Sequence, residues 1–212
     1  MENEEAGLAG LPLDRLLQQA GLVPLDPGKV KQFDIYLSLF IRWNARINLS
    51  SVRDPGEILE RHFVESITCA RALPDNISTL LDFGSGGGLP GIPIALCRPE
   101  IAVTLAESQG KKAAFLQEAV RMLGIPTKVF GGRGETLSQQ FDCVVLRAVD
   151  KMAEAVRSAA QLVRVGGYLA LMIASADAPQ LQSAVGEGYT WGEELPLPRS
   201  TGRILLCGVR AV

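Results

Sequence analysis

A single histidine, His62, occurs in 212 residues, and the four cysteines (Cys69, Cys97, Cys143 and Cys207) are scattered with no Cys-x-x-Cys among them. Zinc sites of the usual spacing need clusters of these two residue types, so no metal is expected, and isolated thiols suit a reducing cytoplasm. No stretch approaches the roughly eighteen apolar residues of a membrane-spanning helix. No cationic start leads into an apolar run, as a secretory signal would have. A basic excess is missing too: Lys+Arg total 21 against Asp+Glu 23, for a net charge of −2. A dedicated RNA binder usually carries a basic footprint, so bulk charge argues against RNA unless the basic residues gather on one face. No internal repeat is visible. With 47% hydrophobic and 21% charged residues, the chain suits one compact domain with a sizeable core.

What is present in abundance is glycine at one point. Residues 82–91 read Asp-Phe-Gly-Ser-Gly-Gly-Gly-Leu-Pro-Gly, directly after Leu80-Leu81. A buried strand that breaks into glycines and then enters a helix brings backbone close to a nucleotide-like ligand. Two ligands fit this spacing. Gly86, Gly88 and Gly91 satisfy the dinucleotide fingerprint, whereas Asp82, Gly84, Gly86 and Gly88 give the acidic-x-Gly-x-Gly-x-Gly pattern of S-adenosylmethionine sites. Pyrophosphate needs free N–H donors at the start of the following helix. Pro90 and Pro93 remove such donors, which favours the methyl donor.

The following segments extend the pattern. Ile101 to Ala106 has the β-branched character of a second strand and ends at Glu107-Ser108, where a carboxylate suits two ribose hydroxyls of either ligand class. A solvated strand-end residue is the bland alternative. Lys111 to Leu123 carries apolar residues at helical spacing, and Thr127 to Phe130 reads as a third strand. It leads into Gly131-Gly132-Arg133-Gly134-Glu135, placing Gly134 and Glu135 near the adenine or ribose. The fourth strand, Phe141 to Val149, contains Arg147 near its end. No Asn-Pro-Pro-aromatic run and no Pro-Cys follows it, which argues against amine methylation and against covalent attack on a pyrimidine. Arg147 is too basic to accept a proton. A site without a base suits a nucleophile with no proton to lose, such as guanine N7. An ion pair with a carboxylate such as Glu135 is the competing role for Arg147.

At this point the chain resembles the bacterial small-subunit rRNA guanine-N7 methyltransferases, the RsmG or GidB family. The resemblance runs from about Asp34 to Leu171. It rests on Asn48-Leu-Ser-Ser-Val-Arg-Asp-Pro55, Glu60-Arg-His-Phe-Val-Glu-Ser66, the glycine segment to Pro93, and Phe141 to Val149 with its Arg-Ala-Val ending. Leu146, Glu65 and Leu89 depart from the Ser, Asp and Phe that are common there. The resemblance implies methylation of N7 of one guanine in the 530 loop of 16S rRNA, near the decoding site. It implies S-adenosyl-L-methionine as cofactor, with contacts at Gly84, Leu89, Gly134, Glu135 and Arg147. With the reading of the residues above, Gly84, Ser85, Gly86, Gly88 and Leu89 are expected to hold its amino acid end, Glu107 with Ser108 its ribose, and Gly134 and Glu135 its adenine side. Arg147 would orient substrate or cofactor, and no general base is required. The expected partners are 16S rRNA or the small ribosomal subunit, with the chain acting as a monomer. Asn48, Arg53, Arg61, His62, Arg199 and Arg203 are the candidate RNA contacts, although Glu57, Glu60 and Glu65 lie close enough to pair with some of them.

The expected fold is α/β: a Rossmann-like class I methyltransferase with a seven-stranded, mostly parallel sheet and helices on both faces. Residues 1–10 are expected to form a disordered tail, 11–76 a helical cap and 77–212 the core. In the cap, Leu11 to Gly21, Pro27 to Ile47 and Pro55 to about Ala72 read as helices, the last opened by Asp54 as N-cap. Beyond the fourth strand, Met152 to Val163 is expected as helix and Gly166-Gly167 as a turn. Tyr168 to Ile173 reads as strand, Asp177 to Val185 as helix, and Tyr189 to Leu195 and Arg203 to Val209 as closing strands. Two other readings stay open: a small-molecule methyltransferase on the same fold, and a non-catalytic S-adenosylmethionine-binding ribosome-assembly factor.

Overall fold

The computed structural model describes residues 13–211, so the tail expected over residues 1–10 lies outside them. Helix α1 (Leu13–Gln19) is followed by the long α2 (Pro27–Ile47). Asp26 caps α2 by accepting from the Lys29 N–H at 2.9 Å, Pro27 pre-sets its first turn, and Asn48 ends it in the left-handed conformation with φ 55°. The next helical run starts at α3 (Pro55–Ile58), capped by Asp54, and passes through a π-helical stretch at Leu59–Val64 into α4 (Glu65–Ala72). The expected single helix is therefore interrupted by a wider turn, a feature with no simple periodic signature and frequent at functional sites.

The strands are β1 (Thr79–Phe83), β2 (Ala102–Ala106), β3 (Lys128–Phe130), β4 (Phe141–Arg147), β5 (Val163–Ala174), β6 (Tyr189–Trp191), β7 (Leu195–Pro196) and β8 (Arg203–Arg210). Between and after them lie α5 (Gly91–Cys97), α6 (Gly110–Leu123), α7 (Met152–Gln161) and α8 (Ala178–Val185). The order across the sheet is β3-β2-β1-β4-β5-β8-β6, with β7 also on β8. The pairs from β3 to β5 are parallel, and all pairs made by β8 are antiparallel. The chain winds outward from β1 to β3, then returns to lay β4 on the other side of β1. That reversal is the point at which open α/β sheets bind ligands, beyond the carboxyl ends of the strands.

The sheet has eight strands instead of seven. The expected strand Tyr189 to Leu195 is broken after Trp191, and its two parts, β6 and β7, pair separately with Gly208–Arg210 and Ile204–Leu205. Strand β5 also starts earlier than expected. The glycines read as a turn lie inside it, Gly166 at φ 72°, where the β4–β5 register shifts between Phe141 and Cys143.

Alternation along the strands divides the core. Leu80, Leu105 and Val145 point to one face, where they meet Phe33, Tyr36, Phe40 and Phe63 of the N-terminal helices together with Phe115 and Leu116 of α6. Leu81, Val144, Leu146 and Leu171 point to the other face, against Val156 and Ala159 of α7 and Leu181 of α8. The N-terminal helices thus share a core with one face of the sheet, and this brings their polar residues to the ends of β1 and β4.

Candidate functional site

The carboxyl ends of β1, β2 and β4 open into a cavity of about 920 Å³. The glycine turn at the end of β1 forms one wall. Gly84 and Gly86 have φ of 76° and 55°, conformations that side chains rarely adopt. The N–H of Gly84 and that of Ser85 both donate to the Ala106 carbonyl at 3.0 Å, tying the turn to the neighbouring strand. A Cβ on Gly86 would meet nothing closer than its own loop's Gly84 carbonyl at 3.9 Å, so the cavity is open at that point.

Asp82, buried beneath this turn, accepts the Gly91 N–H at the start of α5 through Oδ2 at 2.9 Å. Burial pushes its carboxyl pKa up to about 7, against the lowering effect of that hydrogen bond. Glu107 is also buried. Its Oε2 accepts the Gly86 N–H at 2.9 Å and its Oε1 the Gln109 N–H at 2.7 Å, so one carboxylate joins the glycine turn to the loop preceding α6. Gly134 lies against the Phe83 ring, which a Cβ would approach to 2.7 Å. Glu135 pairs with Arg133 at 2.6 Å.

Gly84, Ser85, Gly86, Leu89, Glu107, Ser108, Gly134, Glu135 and Arg147 all border this cavity, as do Arg61, His62 and Arg203. Gly88 does not. Its φ is 80°, and a Cβ there would come within 2.5 Å of Ile92, so it serves the packing of α5. Asn48, Arg53 and Arg199 also stand off the cavity wall. Arg53 donates to the Asn44 carbonyl and to Asn48 Oδ1, and Arg199 pairs with Glu60 at 2.8 Å.

Arg147 is held from the cap, and its ion-pair partner is Glu65 at 2.8 Å, whereas Glu135 belongs to Arg133. The same Arg147 Nη2 donates to the Arg61 carbonyl at 2.6 Å and contacts His62 Nδ1 at 3.0 Å. Because a guanidinium only donates, Nδ1 accepts and the His62 proton sits on Nε2, which faces Ser50 Oγ at 2.7 Å. Burial and then the nearby Arg147 charge lower the His62 pKa to about 3. The ring is neutral at physiological pH and a poor proton acceptor. Burial lowers the Arg147 pKa to about 10, which leaves it charged. Glu65 Oε2 also meets Arg203 at 3.0 Å.

One of these participants, Tyr36, carried no sequence signal of its own. Tyr36 donates to the Gly87 carbonyl at 2.5 Å, and the Phe40 ring occupies the space that a Cβ on Gly87 would need. Asn44 is buried and holds the next loop by accepting the Ser50 N–H and donating to the Val52 carbonyl, both at 2.8 Å. Glu65 follows His62 by three residues, but His62 lies in the π-helical stretch, so α-helical spacing did not mark the two as neighbours.

Among the described residues no group of three or more His, Cys, Asp or Glu is set to hold a metal ion, and no helix is long and apolar enough to cross a membrane. The residues at the cavity do fit S-adenosylmethionine. Backbone without side chains lines one wall, Glu107 stands at the end of β2, and the cavity volume is in the range of small-molecule sites.

The sequence matches the family model described as GidB, rRNA small subunit methyltransferase G, over residues 29–187. It is 42% identical over 150 residues to the ribosomal RNA small subunit methyltransferase G of Roseiflexus castenholzii, covering 68% of this chain and 64% of that protein. To the protein of the same name in Xanthomonas euvesicatoria pv. vesicatoria it is 40% identical over 165 residues, covering 76% of each. The fold is similar to that of a SAM-dependent methyltransferase from Aquifex aeolicus, with a TM-score of 0.58 at 14% identity, over 75% of this chain and 94% of that one.

Proposed function

The chain belongs to the family of rRNA small subunit methyltransferase G, and from that premise we propose that it transfers a methyl group from S-adenosylmethionine to N7 of one guanine in 16S rRNA. The cofactor supplies an electrophilic methyl on a sulfonium. The residues of the chain bind, orient and exclude water. Gly84, Ser85, Gly86 and Leu89 receive the amino acid end, Glu107 and Ser108 the ribose, and Gly134 and Glu135 the adenine.

The observation that carries the choice of N7 is the chemistry beside Arg147. The two ionisable side chains that Arg147 touches are poor bases: His62 is held neutral with its lone pair turned to Arg147, and Glu65 is engaged by two guanidiniums. Guanine N7 offers a lone pair and no proton, so methyl transfer there needs orientation alone. Positioning of this kind contributes roughly 7–11 kcal/mol to a barrier. The acceptor sits in the 530 loop, the substrate is the small subunit or its rRNA, and the chain works as a cytoplasmic monomer. Incubating the protein and labelled cofactor with small subunits from cells lacking it tests the reading. Label is expected in 16S rRNA. Label confined to small molecules, or none, contradicts it.

A further inference from the structure

Two of the guanidiniums that line the cavity, Arg147 and Arg203, come from strands that are not neighbours. Arg147 ends β4 and Arg203 begins β8, with β5 between them. Two strand spacings separate these strands by about 10 Å, so the sheet alone does not bring the two side chains together. A third residue does. Glu65, with no exposed side-chain surface, projects from α4 and takes Arg147 at 2.8 Å and Arg203 at 3.0 Å on the same oxygen, Oε2. Its Oε1 has no hydrogen-bond partner. The carboxylate is therefore set by the needs of the arginines, not by its own hydrogen bonding.

We propose that Glu65 is a positioning residue, which holds Arg147 and Arg203 as a fixed pair whose free N–H donors meet the O6 carbonyl of the target guanine. This rests on the reading of the site given above. Arg147 uses only Nη2 for its protein partners, and among the described residues its Nε and Nη1 make no hydrogen bond. The pair carries two positive charges and Glu65 removes one, which leaves a single net charge facing the cavity. O6 lies beside N7 on guanine, whereas adenine presents an amino donor at that place. A pair of donor-only side chains thus accepts guanine and repels adenine, and a contact confined to O6 keeps the N7 lone pair free for the methyl group.

Glu65→Gln preserves size and removes the charge. With small subunits from cells lacking the protein, it is expected to lower kcat by about 100-fold, the effect of a misplacement of roughly 1 Å. Cofactor affinity by calorimetry is expected to stay within about threefold, and Glu65→Asp, which keeps the charge, to lose less rate than Glu65→Gln. Wild-type kcat in Glu65→Gln, or a parallel loss of cofactor affinity, overturns the assignment. Should Glu65→Gln alone not fold, the comparison is made in an Arg203→Gln background, where one charge fewer needs neutralising. There the added Glu65→Gln should cost a further tenfold or so by freeing Arg147, and equal rates overturn it. Subunits reconstituted with 2-aminopurine at the target keep N7 and lack O6. The wild-type protein should methylate them about 100-fold more slowly, and an undiminished rate refutes the O6 contact. An inactive wild type would overturn the functional reading as well, whereas an active wild type matched by Glu65→Gln overturns this proposal alone.

Discussion

The Tyr36 hydroxyl and the Gly87 carbonyl, 51 residues apart in sequence, are joined by a 2.5 Å hydrogen bond. Helix α2 is thereby fastened to the turn that opens the cavity. Next to this bond a Cβ on Gly87 would stand 2.6 Å from Phe40 Cε2, so the helix and the turn meet at backbone distance. The N-terminal helices are part of the wall that shapes the glycine loop.

From this contact, Tyr36→Phe should destabilise the protein by about 1–3 kcal/mol, since a buried carbonyl loses its donor. Gly87→Ala should weaken S-adenosylmethionine binding by about tenfold or more, which is ~1.4 kcal/mol, because ring or loop must move. Phe40→Leu in the same chain should recover part of that loss. Denaturant unfolding and calorimetry check both.

Glu107 and Arg61 should separate cofactor from substrate. Glu107→Ala removes the acceptor of the Gly86 and Gln109 N–H groups, and charged hydrogen bonds contribute about 1.5–3 kcal/mol each. Cofactor affinity should fall by at least about tenfold. Arg61 is half-exposed and pairs with Glu57 at 2.8 Å, so Arg61→Ala should leave cofactor affinity unchanged while lowering methylation of subunits. Equal losses of affinity in the two variants would refute this division.

Asp82 gives cofactor binding a pH dependence. Burial raises its pKa to about 7, so the carboxyl is partly protonated at neutral pH. A cationic cofactor nearby favours the ionised form, so binding releases protons and affinity rises with pH from about 6 to 8. Calorimetry in buffers of different ionisation enthalpy should detect the release, and Asp82→Asn should abolish it.

Much of the fold was legible because local signals agreed. Asp26-Pro27 and Asp54-Pro55 mark helix starts, and the apolar runs of β1, β2 and β4 have no competing helical period. The break between β6 and β7 was not legible, since the spacing of Tyr189 to Leu195 does not reveal which residues β8 leaves unpaired. At the site, glycine spacing and strand-end carboxylates pointed to the wall that Gly84, Gly86 and Glu107 now line. The partner of Arg147 was not legible. Glu135 was the nearer carboxylate in sequence, while Glu65, 82 residues away, reaches it only because α4 carries its side chain to the arginines at the ends of β4 and β8. Gly88 matched the motif spacing yet packs under α5, which spacing alone does not distinguish from facing a ligand.

Mapping the modified base tests methyl transfer to guanine N7 most directly. Small subunits and naked 16S rRNA from cells lacking this protein are incubated with it and S-adenosylmethionine, then cleaved by chemistry specific for N7-methylguanine. One new cleavage is expected, at a guanine of the 530 loop. Methyl transfer to rRNA without such a cleavage, or no transfer while the cofactor still binds tightly, would contradict it.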